Sequence, residues 1–210
     1  RWAASRTSRP VFFVLMRRQP ADHRPIPPGA IKIALPSTTQ VTGHTCGAAA
    51  LLAVCAYFGV GPEDERDVAT DMKLTRAGAD PSHIVSAAKR YGLRSAVLRG
   101  MTGADLAEQL DRGRPVMLML QAWAEPRPTS YARRWDAGHW VVAVGYDTEV
   151  FYFEDPAIHT ARGFIERSEL ATRWHDIEGR RREHVERLGI VVWRAGPRAS
   201  RRGPEARRID

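Results

Sequence analysis

Cysteine and lysine are scarce in this chain of 210 residues. It has two cysteines, and only three of its 32 basic residues are lysines. Cys46 and Cys55 lie in a stretch typical of a single helix, in which nine residues separate two positions by roughly 13 Å, beyond the ~7 Å that a disulfide allows between Cα atoms. The sequence therefore predicts two free thiols and excludes a disulfide scaffold. Free thiols favour a cytoplasmic location, although a secreted enzyme with a catalytic thiol would have the same composition.

Long apolar runs are also missing. No run reaches the roughly 18 to 20 residues that cross a bilayer, and the run near the start, Val11–Met16, is too short for the apolar part of a secretory signal. We therefore predict no membrane span. The sequence begins with Arg1 and not with methionine, so the true N-terminus and any upstream targeting segment stay open.

The formal charge of +8 comes from the two ends of the chain. Residues 1–30 carry six arginines against one aspartate, and residues 194–210 carry six against two acidic residues. Between them, 20 basic residues face 21 acidic ones. This body lacks the basic stripe of a nucleic-acid groove, so no nucleic-acid partner is expected.

The order of the predicted elements places helices mainly before strands. Helices are predicted over about residues 46–58, 62–73, 81–91 and 102–110, and strands over 31–35, 95–98, 115–121, 139–144, 150–153, 163–165 and 189–193. This order indicates an α+β domain with a helical layer packed on an antiparallel sheet. We expect it to cover residues 31–195, after a basic extension (1–30) that is partly ordered at most and before a basic disordered tail (196–210).

A thiol at a helix start is the first candidate for chemistry. Cys46 follows a polar loop and opens an apolar helix, where the positive end of the helix dipole favours a thiolate nucleophile. Gln40, six residues earlier, can turn its amide back and donate a hydrogen bond to an oxyanion beside the Cys46 N–H. Taken alone, a cysteine such as Cys46 is more often a small buried core residue, as we expect for Cys55.

A histidine and an aspartate in the second half supply a base and its partner. His139 opens a strongly β-forming run, and Asp155 follows the next strand, sixteen residues later. In a hairpin of these two strands the side chains come within hydrogen-bonding reach. A cysteine nucleophile requires such a base and orienting group.

These residues resemble the papain-like cysteine peptidases of the bacterial double-glycine leader peptidase family, which processes bacteriocins, and their stand-alone relatives. The match covers residues 31 to about 193 and includes a short helix before Trp174. Its four main elements follow the family's order: Gln40 as oxyanion-hole glutamine, Cys46-Gly47 as nucleophile and following glycine, His139 as histidine, and Asp155-Pro156-Ala157 as Asp-Pro-Ala.

The resemblance implies a papain-like fold and a cysteine peptidase that cleaves a peptide or protein substrate, with Gly-Gly-type leader sequences as the family's cleavage site. It implies neither a cofactor nor a metal ion. Two alternatives stay open: an acyl transferase on the same scaffold, and a non-catalytic peptide-binding module that keeps the fold. The oligomeric state is also open.

The sequence departs from the family at three places. Thr45 stands where the family usually has aspartate before its cysteine, and His44 is a partial substitute. No Walker-type loop accompanies the domain, so a role in bacteriocin export does not carry over. The stretch Ala122–Gly138 is longer than expected ahead of His139, and we predict substrate-binding roles for the aromatic residues in and after it: Trp123, Tyr131, Trp135 and Trp140.

Overall fold

The structure is a computed structural model that describes residues 23–128, 130–159, 161–179 and 181–195. The predicted tail and residues 1–22 of the predicted extension lie outside the described residues. The helices are α1 (Cys46–Phe58), α2 (Glu65–Asp71), α3 (Pro81–Arg90), α4 (Gly103–Asp111) and α5 (Arg167–Arg173). The strands are β1 (Arg94–Leu98), β2 (Val116–Gln121), β3 (Gly138–Tyr146), β4 (Val150–Glu154), β5 (Gly163–Glu166), β6 (His175–Glu178), β7 (Glu183–Glu186) and β8 (Gly189–Trp193).

Six of the strands form one antiparallel sheet in the order β1-β8-β2-β3-β4-β5. Strands β2, β4 and nearly all of β3 and β8 are buried, because these apolar runs lie in the middle of the sheet with neighbours on both sides. The helices α1, α3 and α4 contact this sheet, and α1 also contacts α2. The predicted α+β fold, a helical layer on an antiparallel sheet, is confirmed.

Helix α1 is the centre of the helical layer. It is apolar all round, as expected for a helix with protein on every side, and eleven of its thirteen residues are buried. It ends at Gly59, whose φ of 67° lies in the left-handed region that glycine adopts without a steric penalty. The burial of α1 fixes the position of its first residue, Cys46, against β3.

Two sequence predictions differ from the structure, and one pair of strands was not predicted. The strand predicted over residues 31–35 is wrong: Ile31 makes one bridge to Gly145, and the chain then turns as the Leu35 N–H donates to the Ile33 carbonyl at 3.0 Å. Helix α2 begins later than predicted because Asp64 caps it, its side chain accepting the Arg66 N–H at 2.7 Å. The hairpin of β6 and β7 was not predicted at all.

None of the helices in the described ranges is long and apolar enough to cross a membrane.

Candidate active site

Cys46 lies at the first position of α1 and lines a cleft of about 670 Å³. It is buried, with 7% of its surface exposed. One wall of the cleft comes from the helical layer and the other from the sheet and the β6–β7 hairpin. The lining includes Gly43, His44, Lys73, Arg76, Ala79, Asp80, Met119, Trp135, Asp136, Gly138, Trp140, Asp176 and Arg182.

His139 and Asp155 form a buried pair beside this cleft. Since β3 pairs with β4, the start of one strand lies next to the residue that follows the other. The His139 Nε2 lies 2.6 Å from the Asp155 Oδ1. A ring N–H donating to a carboxylate at this distance is a strong, charge-assisted hydrogen bond. It leaves Nδ1 as the ring nitrogen that can exchange a proton with a neighbouring group.

The surroundings of His139 stabilise its protonated form. Burial alone would lower the pKa of His139, but hydrogen bonding with Asp155 and with Cys46, together with their negative charge, raises it to about 9. The imidazole therefore interacts with both the thiol and the carboxylate. At neutral pH it carries a proton that it can donate.

Asp155 is held by two further donors. Its Oδ1 also accepts the Ala157 N–H at 2.9 Å, and its Oδ2 accepts the Trp123 indole N–H at 3.1 Å. Trp123 has a φ of 58°, an uncommon conformation for a bulky residue, yet its side chain is 57% exposed. The indole thus helps to fix the orientation of the aspartate.

The loop that carries Gln40 is anchored to the end of β4. The Thr38 N–H donates to the buried Glu154 at 2.7 Å, and the Gln40 N–H donates to the Pro156 carbonyl at 3.1 Å. The Gln40 side-chain nitrogen donates to the Thr42 carbonyl at 3.0 Å, which leaves its second N–H for a ligand. Its Oε1 is buried without a hydrogen-bond partner in the described part of the chain.

The side chains of the two residues before Cys46 make contacts within their own loop. The Thr45 hydroxyl accepts the Thr42 N–H at 3.1 Å, and the His44 Nδ1 lies 3.1 Å from the Thr42 hydroxyl. Thr45 precedes α1 without a side-chain cap hydrogen bond. His44 lines the cleft of Cys46, as does His83 of α3.

The start of α1 packs closely on two residues that line the cleft. The Trp140 indole N–H donates to the Ala79 carbonyl at 2.8 Å across the cleft. A Cβ added to Gly47 would lie 2.6 Å from the Ala79 Cβ and 3.2 Å from the Trp140 ring. The helix start therefore packs directly on both residues, and only glycine fits at position 47.

The other predicted aromatic residues lie on two sides of the site. Trp135 lines the Cys46 cleft and stacks on His184 with ring centroids 4.0 Å apart. Tyr131 is buried and, with Trp123 and Asp155, lines a second hollow of about 520 Å³. Their substrate-binding roles stay predictions.

Cys55 is fully buried inside α1, and both cysteines are free, as predicted. Burial raises the pKa of the Cys55 thiol to about 12. Among the described residues, no group of three histidine, cysteine or acidic side chains is arranged to hold a metal ion.

Two residues that the sequence analysis did not select form a buried pair, and one of them lines the cleft. Gln121, at the end of β2, is fully buried, and its side-chain nitrogen donates to Asp176 of β6 at 3.0 Å. Asp176 is itself buried and lines the cleft with Cys46. A buried glutamine at a strand end is the one sequence signal that could have drawn attention to this pair.

The model of the Peptidase C39 like family matches residues 32–181. Among solved structures, a C39-like peptidase from Bacillus anthracis is 16% identical, with a TM-score of 0.58 over 78% of this chain and 96% of that one. The peptidase domain of Streptococcus ComA, a bifunctional ABC transporter involved in quorum sensing, is also 16% identical, with a TM-score of 0.54 over 75% of this chain and 96% of that one.

A third structure is that of a double glycine motif protease from an AMS/PCAT transporter, in complex with the leader peptide. It is 22% identical, with a TM-score of 0.50 over 75% of this chain and 90% of that one. At these identities the structural likeness shows a common fold. No curated protein matches the sequence.

Proposed function

Because the chain belongs to the Peptidase C39 like family and is a cysteine peptidase, we propose that Cys46, His139 and Asp155 are its catalytic triad and that Gln40 supplies part of its oxyanion hole. The single observation that carries this proposal is the buried chain of interactions from Cys46 through His139 to Asp155. A nucleophile, a base and an orienting carboxylate in this order are what covalent catalysis by cysteine requires.

In the proposed mechanism the Cys46 sulfur, paired with protonated His139, attacks the carbonyl carbon of a peptide bond. The C–S bond forms as the carbonyl oxygen takes up negative charge. The Cys46 N–H at the start of α1 and the free N–H of the Gln40 amide donate to this oxygen. Both donors belong to anchored segments: α1 is buried in the domain, and the Gln40 loop is hydrogen bonded to the end of β4.

Collapse of this intermediate breaks the C–N bond. His139 donates its proton to the leaving nitrogen, and its pKa of about 9 keeps that proton available at neutral pH. The neutral imidazole then takes a proton from water, which attacks the acyl-enzyme and releases the acid product. Asp155 holds the ring orientation through both steps.

The geometry beside Cys46 supports cleavage after small residues. Ala79 and Trp140 are joined by a hydrogen bond and pack on the helix start beside Cys46. We propose that this pair also limits the room for a side chain on the substrate residue next to the scissile bond. Glycine, which has no Cβ, suits such a channel. The third solved structure described above is a protease of the double glycine motif, and a Gly-Gly site is the finer substrate assignment we propose for this chain.

Substrate size is testable with a matched pair of fluorogenic peptides that differ only in the two residues before the cleaved bond. We expect kcat/KM for the Gly-Gly peptide to exceed that for the Ala-Ala peptide by at least about tenfold, since each added methyl group must displace packed walls. Mass spectrometry of the products locates the cut. Equal kcat/KM values for the two peptides would remove the Gly-Gly assignment and leave the peptidase assignment standing.

A further inference from the structure

Asp176 is held rigidly at the cleft by its own strand and by β2. Its Oδ1 accepts the Gln121 side-chain N–H at 3.0 Å and the backbone N–H of Ile177 at 2.8 Å. Gln121 is fixed in turn, because its nitrogen also donates to the His175 carbonyl at 3.2 Å and its oxygen accepts the Ala137 N–H at 2.9 Å. This network leaves the carboxylate one orientation.

The backbone of β3 is adapted to the same carboxylate. A Cβ on Gly138 would lie 2.0 Å from the Asp176 Oδ2, so any other residue at position 138 would displace Asp176 or the strand. Gly138 immediately precedes His139 and also lines the cleft. The Oδ2 therefore lies directly beside the strand that carries the proposed base.

The Oδ2 of Asp176 can accept a further hydrogen bond. Both hydrogen bonds to Asp176 within the described ranges reach Oδ1, and Oδ2 receives none. Burial raises the pKa of Asp176 to about 6, although the hydrogen bonds to Oδ1 and the charges of His175 and Arg182 oppose this shift. A carboxylate this buried, with 8% of the residue exposed, gains from a further donor, and the remaining open direction is the cleft.

We propose that Asp176 is a substrate-binding residue whose Oδ2 accepts a hydrogen bond from a main-chain N–H of the peptide next to the scissile bond. This proposal rests on the proposed function, because it places the peptide in the cleft of Cys46. A peptide lying along β3 beside His139 brings its backbone past Oδ2. The donor is a main-chain amide, so Asp176 fixes the register of the peptide while the narrow walls select its side chains.

The test compares two reagents that alkylate Cys46 with loss of chloride. Acetyl-Gly-Gly chloromethyl ketone has two main-chain N–H groups, whereas chloroacetone has the same reactive carbon and none. We expect Asp176→Asn to lower the second-order rate constant for the peptide reagent roughly tenfold or more, because the asparagine NH₂ group would face the N–H of the peptide. The rate constant for chloroacetone should change less than about twofold. Glu178→Gln, two residues along β6 and outside the cleft, is the matched control and should change neither.

N-methylated reagents test the same hydrogen bond in the wild-type protein. Each glycine of the peptide reagent is replaced in turn by N-methylglycine, and one of the two replacements should slow the labelling of the wild type. In the Asp176→Asn variant, the same replacement should slow labelling no further than the variant alone does. Equal rates for all the peptide reagents with the wild type, or an equal loss for chloroacetone and the peptide reagent in Asp176→Asn, would overturn the proposal. Labelling that persists in Cys46→Ala would instead contradict the proposed function.

Discussion

Replacing Cys46 by alanine is expected to lower kcat/KM for peptide cleavage by at least about 10⁴-fold, with the fold intact. The methyl group of alanine cannot form the C–S bond of the acyl-enzyme, and removal of a nucleophile costs this much or more in comparable triads. Alanine keeps the Cβ of this buried residue and removes only the sulfur. Hydrolysis of the Gly-Gly peptide, followed to long times at high protein concentration, measures the effect, and circular dichroism checks the fold.

Cys55→Ala is the matched control for this experiment. Cys55 is the other cysteine of α1, so the same atoms are removed from the same helix, but its thiol is fully buried in the core. We expect near wild-type kcat/KM and a small loss of stability of about 1 kcal/mol from the cavity. Retained cleavage in Cys46→Ala, or its loss only in Cys55→Ala, would contradict the assignment of the nucleophile.

The second large effect is expected from His139→Ala, which should lower kcat/KM about as much as the loss of Cys46. His139 both pairs with the attacking sulfur and protonates the leaving nitrogen, so neither step is assisted without it. Asp155→Asn should cause a loss roughly 10- to 100-fold smaller, because a carboxylate that orients the ring contributes less than the ring itself. Initial rates on the Gly-Gly peptide compare the three variants.

The pH profile of the wild type adds a check on the same residue. The pKa of His139 is raised to about 9, so the imidazolium is present at neutral pH and is lost as the pH rises through that value. We therefore expect kcat/KM to fall about tenfold per pH unit above pH 9. Near-normal activity of His139→Ala would assign the base to another residue, and His44, which lines the cleft of Cys46, is the first to test.

The parts of the fold that could be predicted from the sequence are those with a strong local pattern. The small apolar run that forms α1 and the β-branched run of β3 are each determined by their own residues and by the glycines beside them. Cys46, His139 and Asp155 lie at the ends of such elements. Their positions followed once those elements were placed in the sheet, and the structure brings them together.

The β6–β7 hairpin could not be predicted because its local pattern is that of a surface segment. His175, Asp176 and Glu178 are polar, and two of these three are buried through contacts with residues more than 30 positions earlier in the chain. Gln121 donates a hydrogen bond to the Asp176 carboxylate, and Gly138 leaves space for it. No regular spacing in the sequence connects these three residues. Side-chain hydrogen bonds between distant segments, including that of Trp123 with Asp155, are likewise absent from any local pattern.

The most direct test of the account is the rate at which iodoacetamide modifies each cysteine at pH 6, read by peptide mass spectrometry. An ordinary thiol with a pKa near 8.5 reacts very little at this pH. Burial raises the pKa of Cys55 to about 12, so it should stay unmodified in the folded protein. Because protonated His139 pairs with the Cys46 sulfur in the proposed mechanism, we predict rapid modification of Cys46 in the wild type and a loss of at least about tenfold in His139→Ala. Equal modification of both cysteines, or a Cys46 rate that His139→Ala leaves unchanged, would contradict the account.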